Sequence, residues 1–312
     1  MITAIGNPVY DYIKTQKIET DGRVLSGCST NAALALSRLG ERVQLIGAVG
    51  DDFKEDFNHK LNQYNIESKI IDSKESGGFS LVYYDDFGNR TLDLLGRAGN
   101  INGIKKEWYY NSEAVLIGPI LGEVSFDEIK NIRENYDGLF FCDPQGLLRN
   151  ADKAGRIYHE KVPGIENILG LFAIVKPNEL EGKVLTGIDC RQNPYHAAEI
   201  IKDWGPEIVI VTLAELGSVI YDGNEFIDIP PYEIDLVDAT GAGDTYMGGF
   251  TYEYLETADL RRSGCFASAV SSIMIEQVGP DFKMTLDEVR RRQDVLLKRD
   301  DFKVAVAVSK TQ

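Results

Sequence analysis

Residues 237–250 read Val237-Asp238-Ala239-Thr240-Gly241-Ala242-Gly243-Asp244-Thr245-Tyr246-Met247-Gly248-Gly249-Phe250, and this run decides the fold. It has the pattern of a short apolar strand, a small-residue turn, and a helix with one acidic side chain in its first turn. Small residues at Gly241, Ala242 and Gly243 let backbone N–H groups approach an anion closely, and the helix start adds unpaired donors and its positive dipole end. Asp244 sits just inside this cradle. Either it only complements the helix dipole, or it accepts a proton from a hydroxyl attacking a bound phosphate in line. A helix N-terminus lowers a carboxylate's pKa, so the expectation is a weak base in the ground state.

Working outward, strand patterns at 1–6, 43–49, 114–117, 139–142, 172–175 and 208–212 alternate with helical patterns. The helical stretches lie at 32–39, 54–64, 126–135, 179–185, 195–204, 260–276 and 286–297. Such alternation predicts an α/β fold with a mainly parallel central sheet covered on both faces, which binds ligands at the carboxyl ends of its strands. Two polar–apolar alternations break the rhythm, at 12–25 and 78–95, the second bent at the turn-forming residues 85–89. They predict a small antiparallel sheet outside the main one, or else edge strands of it. Within residues 302–308 the alternation of Phe302, Val304, Val306 and Val308 has the pattern of one more strand.

The chain has 312 residues, enough for a substantial core, and lacks any long low-complexity run that would mark a linker. One main domain spanning 1–312 is expected. A formal charge of −16 disfavours nucleic acid or anionic membrane as partners. The apolar runs fall well short of the ~20 residues that cross a bilayer, and no signal-like segment opens the sequence, so a cytoplasmic location is expected. Cys28, Cys142, Cys190 and Cys265 are widely spaced, which argues for reduced thiols rather than disulfides or zinc. His59, His159 and His196 fall in polar, helix-like stretches and are expected at the solvated surface.

The opening run resembles the second signature of the ribokinase-like (PfkB) family of sugar and nucleoside kinases, D-T-x-G-A-G-D followed by a small-residue helix. Ala239 replaces the usual Thr, while Gly241, Ala242, Gly243 and Asp244 match. The resemblance extends from Gly6 to about Gly279. The first signature, G-G-x-x-x-N, is similar to Ser26-Gly27-Cys28-Ser29-Thr30-Asn31, with Ser26 in place of the first Gly. Asp11 matches the residue that accepts hydrogen bonds from sugar hydroxyls in the family. Asp143-Pro144-Gln145-Gly146-Leu147-Leu148-Arg149 resembles the D-P-x-x-R segment, slightly lengthened. Asn178 and Glu181 carry the N-x-x-E motif, although an ordinary helix start would use the same residues as a cap. Thr212 to Gly217 is similar to the nucleotide-binding T-x-G-x-x-G turn, with Ala214 in place of its first glycine.

The resemblance implies a ribokinase-like three-layer fold with a small β-sheet lid, formed by about 12–25 and 78–100, which in relatives often pairs with its twin in a homodimer. It implies ATP-dependent phosphorylation of a hydroxyl on a small sugar, sugar acid or cyclitol, or on a nucleoside. Asp244 would be the base, with Gly241, Ala242 and Gly243 as anion hole and Arg149 neutralising the transferring group. Asp11, Gly27 and Asn31 would hold the acceptor, and Arg97, if turned inward, would read a phosphorylated or polyhydroxylated one; Arg90 shares the lid. Asn178, Thr212, Gly217 and Gly243 would meet the nucleotide, and Glu181 would order Mg²⁺ through water. Asp238 and Thr240 resemble part of a monovalent-cation site, so K⁺ is a further candidate cofactor. Two other classes compete. A dinucleotide-dependent oxidoreductase needs a G-x-G-x-x-G turn after its first strand, where this chain has Gly6-Asn7-Pro8. A non-catalytic sugar sensor would have no need of Asp244.

Overall fold

The computed structural model describes residues 1–84 and 90–304. Its strands are β1 (Ile2–Ile5), β2 (Val9–Lys14), β3 (Val24–Ser26), β4 (Val43–Gly50), β5 (Ile66–Ser73), β6 (Gly78–Tyr83), β7 (Arg90–Gly96), β8 (Ala114–Ile117), β9 (Leu139–Cys142), β10 (Arg149–Ala151), β11 (Ile157–His159), β12 (Ile174–Val175), β13 (Ile208–Thr212), β14 (Ser218–Tyr221) and β15 (Phe226–Ile229). The helices are α1 (Cys28–Arg38), α2 (Lys54–Gln63), α3 (Phe126–Glu134), α4 (Gln145–Leu148), α5 (Ile165–Leu169), α6 (Glu179–Thr186), α7 (Pro194–Lys202), α8 (Ala242–Thr257), α9 (Leu260–Ile275) and α10 (Leu286–Leu297).

Nine strands form the main sheet in the order β15-β14-β13-β12-β9-β8-β1-β4-β5. From β5 to β13 every pair is parallel, and β14 and β15 add an antiparallel edge. Strand alternation sends side chains to two separate apolar layers. Ile208 and Ile210 join the layer of α1, α2, α8, α9 and α10, while Val209 and Val211 join that of α3, α5, α6 and α7. This is the expected three-layer ribokinase-like arrangement.

The small sheet has the order β3-β2-β6-β7. Its outer pairs are antiparallel, but β2 and β6 run parallel, so it is mixed rather than wholly antiparallel as expected. Its first strand begins at Val9, ahead of the expected residue 12, and Asp11 therefore lies on the small sheet itself. Cross-strand register puts Ile13, Leu81 and Leu92 on one face, together with Phe79 and Leu94. The β10–β11 hairpin leans on the edge of this sheet, where Leu94 N–H donates to Gly155 C=O at 2.8 Å.

Strands β5, β10, β11, β14 and β15 were absent from the sequence reading. They are edge or hairpin strands, partly solvated, and their hydrophobic period is weak. His159 is half-buried in β11, not on a solvated helix, whereas His59 and His196 are exposed as expected. Phe302 and Val304 are not in a strand. Val306 and Val308, and the turn expected at 85–89, lie outside the described residues. All four cysteines are buried free thiols. Among the described residues no helix is long and apolar enough to cross a membrane.

Candidate active site

The run 237–250 folds as its residue types require, with Gly241 at the N-cap of α8 in the left-handed region, φ 80° and ψ 4°. The cap has no side-chain partner; the Ala242 N–H donates to the Ala239 carbonyl at 3.3 Å, which leaves the later first-turn N–H groups to a ligand. A Cβ at Gly241 would lie 2.6 Å from Asn31 Nδ2, so the glycine also makes room for the start of α1. That amide donates to Asp244 Oδ2 at 2.9 Å. Close helix packing makes the bond possible: a Cβ at Gly248 would fall 2.8 Å from the Ala32 carbonyl.

Lys176, just beyond β12, and Asp143, just beyond β9, form an ion pair at 2.7 Å with side chains 1% and 4% exposed. The Lys176 ammonium lies at the α8 N-terminus, 3.2 Å from where a Cβ on Gly243 would be. Cys28 Sγ and one carboxylate oxygen from each of Asp143 and Asp244 lie within 4.8 Å of one another. Burial and the like charge of Asp143 raise the Asp244 carboxyl, and the Asn31 amide and Lys176 only partly offset them. The ground-state base is therefore stronger than the helix dipole alone implied, because distant strands bring in a second carboxylate. Burial and Asp143 also raise Glu181, against the pull of Lys176. For Lys176, burial lowers the pKa, but Asp143 and Glu181 more than reverse it. Lys176, Asp143 and Cys28 had no assigned role in the sequence reading. The available signal was an ionisable residue directly after a fully apolar strand, at both Asp143 and Lys176.

On the small sheet, Asp11 is buried and accepts from Phe79 N–H at 2.8 Å. Burial raises it to about 7, against the bond from Phe79, the Ser26 hydroxyl, Arg149 and Arg23. Ser26, which departs from the glycine pattern, thus stands beside this carboxylate. Gly27 has φ 119°, and a Cβ there would lie 3.0 Å from the Asn7 carbonyl, a passage that only glycine makes without strain. Next to β2 is a narrow cleft of ≈ 20 Å³ bounded by Asn7, Phe79, Arg97, Leu121 and Glu123 among others. Arg97 is exposed at its edge, with its backbone N–H on Glu75. Arg90 donates to Tyr83 Oη at 3.0 Å, and that hydroxyl is 2.8 Å from Thr240 Oγ1.

Asn178 and Glu181 make a full capping box: Asn178 Oδ1 accepts from Glu181 N–H, and Glu181 accepts from Asn178 N–H, each at 2.9 Å. Asn178 Nδ2 also donates to Glu181 Oε1 at 2.7 Å. Thr212, at the end of β13, bridges to Asn178. The turn to Gly217 closes with Leu213 N–H on Gly217 C=O at 2.8 Å. Ala214 adopts φ 50° there, so the alanine takes the left-handed shape its glycine counterpart would. Asp238 accepts from Thr240 N–H at 2.9 Å through Oδ1, while its buried Oδ2 has no partner among the described residues.

Arg149 is 9% exposed, and its Nε is buried without a partner. Burial and the nearby charge of Arg90 lower it, while Glu181, Asp244 and Asp143 favour its charged form.

The three layers and the small sheet, with buried ionisable groups gathered at the carboxyl ends of β9 and β12 and the start of α8, make up a ribokinase-like fold. The chain is a member of the pfkB family carbohydrate kinases, whose model matches residues 1–286. It is therefore an enzyme of the ATP-dependent phosphotransferase class that uses an alcohol group as acceptor. A nucleoside kinase of Methanothermobacter thermautotrophicus is 28% identical over 89% of this chain and 90% of its own length. A pyrophosphate-dependent kinase in the ribokinase family, solved with sulfate, superposes with a TM-score of 0.80 at 23% identity, over 95% of this chain and 100% of that one. A ribokinase II of E. coli, solved with ATP and Mg²⁺, has a TM-score of 0.74 at 19% identity, over 94% and 99%.

Two outcomes follow from the charges. Lys176→Met leaves Asp143 buried and unpaired and should cost about 3–5 kcal/mol in urea unfolding. Adding Asp143→Asn should recover much of that loss; if the double variant is as unstable as the single one, the pair is not the cause. Asp11 has its folded pKa raised to about 7 from an ordinary value of 3.8. The native state then holds a proton that the unfolded state has lost, so this contribution to stability is full below about pH 4 and declines as pH rises through about 7. Between pH 5 and pH 8, wild type should lose more stability than Asp11→Asn; parallel unfolding curves would contradict the assignment.

Proposed function

We propose that the enzyme transfers the γ-phosphate of ATP to a hydroxyl of a small sugar, sugar acid or cyclitol, with Asp244 as the base. The observation that carries this reading is Asp244 in the first turn of α8, held by the Asn31 amide at 2.9 Å beside uncapped backbone N–H groups. The attacking hydroxyl oxygen forms a bond to the γ-phosphorus, the bond to the ADP oxygen breaks, and the hydroxyl proton passes to Asp244. Gly241, Ala242 and Gly243 provide the N–H groups that meet the transferring group, with Arg149 adding its charge. The pKa of Asp244, raised by burial and Asp143, makes the proton transfer easier than the helix dipole alone would allow.

Asp11 and Gly27 serve the acceptor. Asp11 takes hydrogen bonds from hydroxyls, and Asn31 sets the base toward them. Arg97 stands at the cleft edge, where closure of the small sheet over the acceptor would bring it inward and keep water from being phosphorylated instead. Asn178, Thr212 and Gly217 serve the nucleotide, which approaches the carboxyl ends of β12 and β13. The crowding of Asp143, Asp244 and Glu181, with Lys176 as their close cation, fits a divalent ion. Mg²⁺ would neutralise donor phosphate oxygens, with Glu181 acting through its water. The unpartnered Oδ2 of Asp238 fits a monovalent cation, with Thr240 beside it.

A nucleoside acceptor is the second reading, favoured by the 28% identity to a nucleoside kinase. Coupled nucleotide release over sugars, sugar acids, inositols and nucleosides separates the two. Asp244→Asn should lower kcat by about 10²–10⁴ while acceptor binding, read by calorimetry, is retained. Near-normal turnover would remove Asp244 as base. Replacing Na⁺ by K⁺ should raise the activity of wild type and not of Asp238→Asn; equal rates in the two salts would dismiss the cation site.

A further inference from the structure

The β10–β11 hairpin and the strand beside it set two groups, Arg90 and His159, next to Arg149, and phosphoryl transfer assigns neither a role. Arg149 and His159 are directly opposed across its two antiparallel strands, so their side chains leave the same face. Arg149 is 9% exposed, and among the described residues its side chain donates no hydrogen bond and joins no ion pair. A guanidinium offers five N–H donors in a planar fork, and burying it unpaired is costly. From the lid side comes Arg90, paired in sequence register with Tyr83 and bonded to its hydroxyl at 3.0 Å. The hairpin and the lid strand β7 are tied together by Leu94 N–H to Gly155 C=O and by the bridge of Asp93 to Arg156. Two arginines and a histidine thus converge at one place, in a chain whose formal charge is −16.

The three groups also repel one another. Burial, Arg149 and Arg90 hold His159 down to about 4, so at neutral pH it is an uncharged imidazole able to donate one hydrogen bond. Carboxylates on the nucleotide side, Glu181, Asp244 and Asp143, favour the charge of Arg149 without bonding to it. On the acceptor side Asp11 is within the field of Arg149. Arg149 therefore stands between the two substrates, and its partner Arg90 lies on the sheet that bears Asp11.

We propose that Arg90, Arg149 and His159 form a binding site for an anionic substituent of the acceptor, a carboxylate or phosphate borne on the polyol that is phosphorylated. This rests on the kinase reading and narrows it. Arg90 supplies the cation from the lid and His159 a neutral donor, while Arg149, between the two substrates, offers one edge of its fork to this group and keeps the other for the transferring phosphoryl group. An acceptor without the anion leaves the two cations mutually repelling.

The test compares matched acceptors, each neutral sugar with its aldonic acid and its phosphate ester, in wild type, Arg90→Gln, Arg90→Lys and His159→Gln. Wild type should favour an anionic member in kcat/KM by on the order of 100-fold. Arg90→Gln should collapse that ratio, and Arg90→Lys should restore part of it. Preference for the acid against the phosphate ester identifies which anion the site holds. If wild type treats neutral and anionic members alike, or Arg90→Gln leaves the ratio intact, the anion site is wrong and the kinase reading stands. If no acceptor is phosphorylated, the kinase reading fails, and a second measurement judges the site alone. Inorganic phosphate at fixed ionic strength should raise the Tm of wild type and raise that of Arg90→Gln less; equal shifts overturn the proposal.

Discussion

The ion pair of Lys176 and Asp143 is the constraint around which the site is built. A buried pair of this kind brings little net stability compared with apolar residues of the same volume, because both ions lose their water. Its value lies in what it makes possible. Asp143 lies close to Asp244 and Glu181, and its charge together with burial raises the affinity of both for protons. The Lys176 ammonium, 2.7 Å from Asp143, opposes that rise at both Asp244 and Glu181. Because β9 and β12 are neighbours in the sheet, residues 33 positions apart (176 − 143) meet at their carboxyl ends. The same ammonium explains why the anion cradle has a glycine at 243, where a side chain would press on it.

A second close approach joins the two ends of the chain. Asn31 reaches Asp244 only because α1 and α8 pack backbone to backbone, with Gly248 against Ala32 and Gly241 against Asn31 itself. The small residues that made 237–250 look like a cradle thus do two things. They open the first turn to an anion, and they let the helix lie close enough to α1 for an amide to orient its carboxylate.

The layers of the main sheet were legible because its central strands are buried on both faces and alternate with amphipathic helices. Ala114–Ile117 and Ile208–Thr212 are apolar runs that no other element would tolerate. The hairpins β10–β11 and β14–β15 were not legible, since their short strands are partly solvated and lack the unbroken apolar run of β8. In the site, Asp244, Asn31 and the glycines stood out locally. The direction of Asp244's pKa did not, because it is set by Asp143, which lies 101 positions away (244 − 143) in sequence and in contact range through the fold. Lys176 was visible as a residue but not as a partner. Ala214 shows the opposite limit: the sequence placed a Cβ where glycine is usual, yet the turn imposes φ 50° all the same.

Two buried charged groups, Asp11 and Arg149, have few partners among the described residues, and under the proposed function they flank the acceptor from different elements. Asp11 is raised to about 7 by its burial, while Arg149 is lowered by burial and Arg90. Both costs fall if hydroxyl donors meet the carboxylate and an anion meets the guanidinium. A ligand carrying both kinds of group relieves both at once, whereas a ligand with only one leaves the other cost standing. Since Asp11 and Arg90 lie on the small sheet and Arg149 on the hairpin tied to its edge, that relief acts between the lid and the main layers. Under the proposed function, acceptor binding and the position of the small sheet are linked through the same electrostatic cost, and selection among acceptors follows from how completely each removes it.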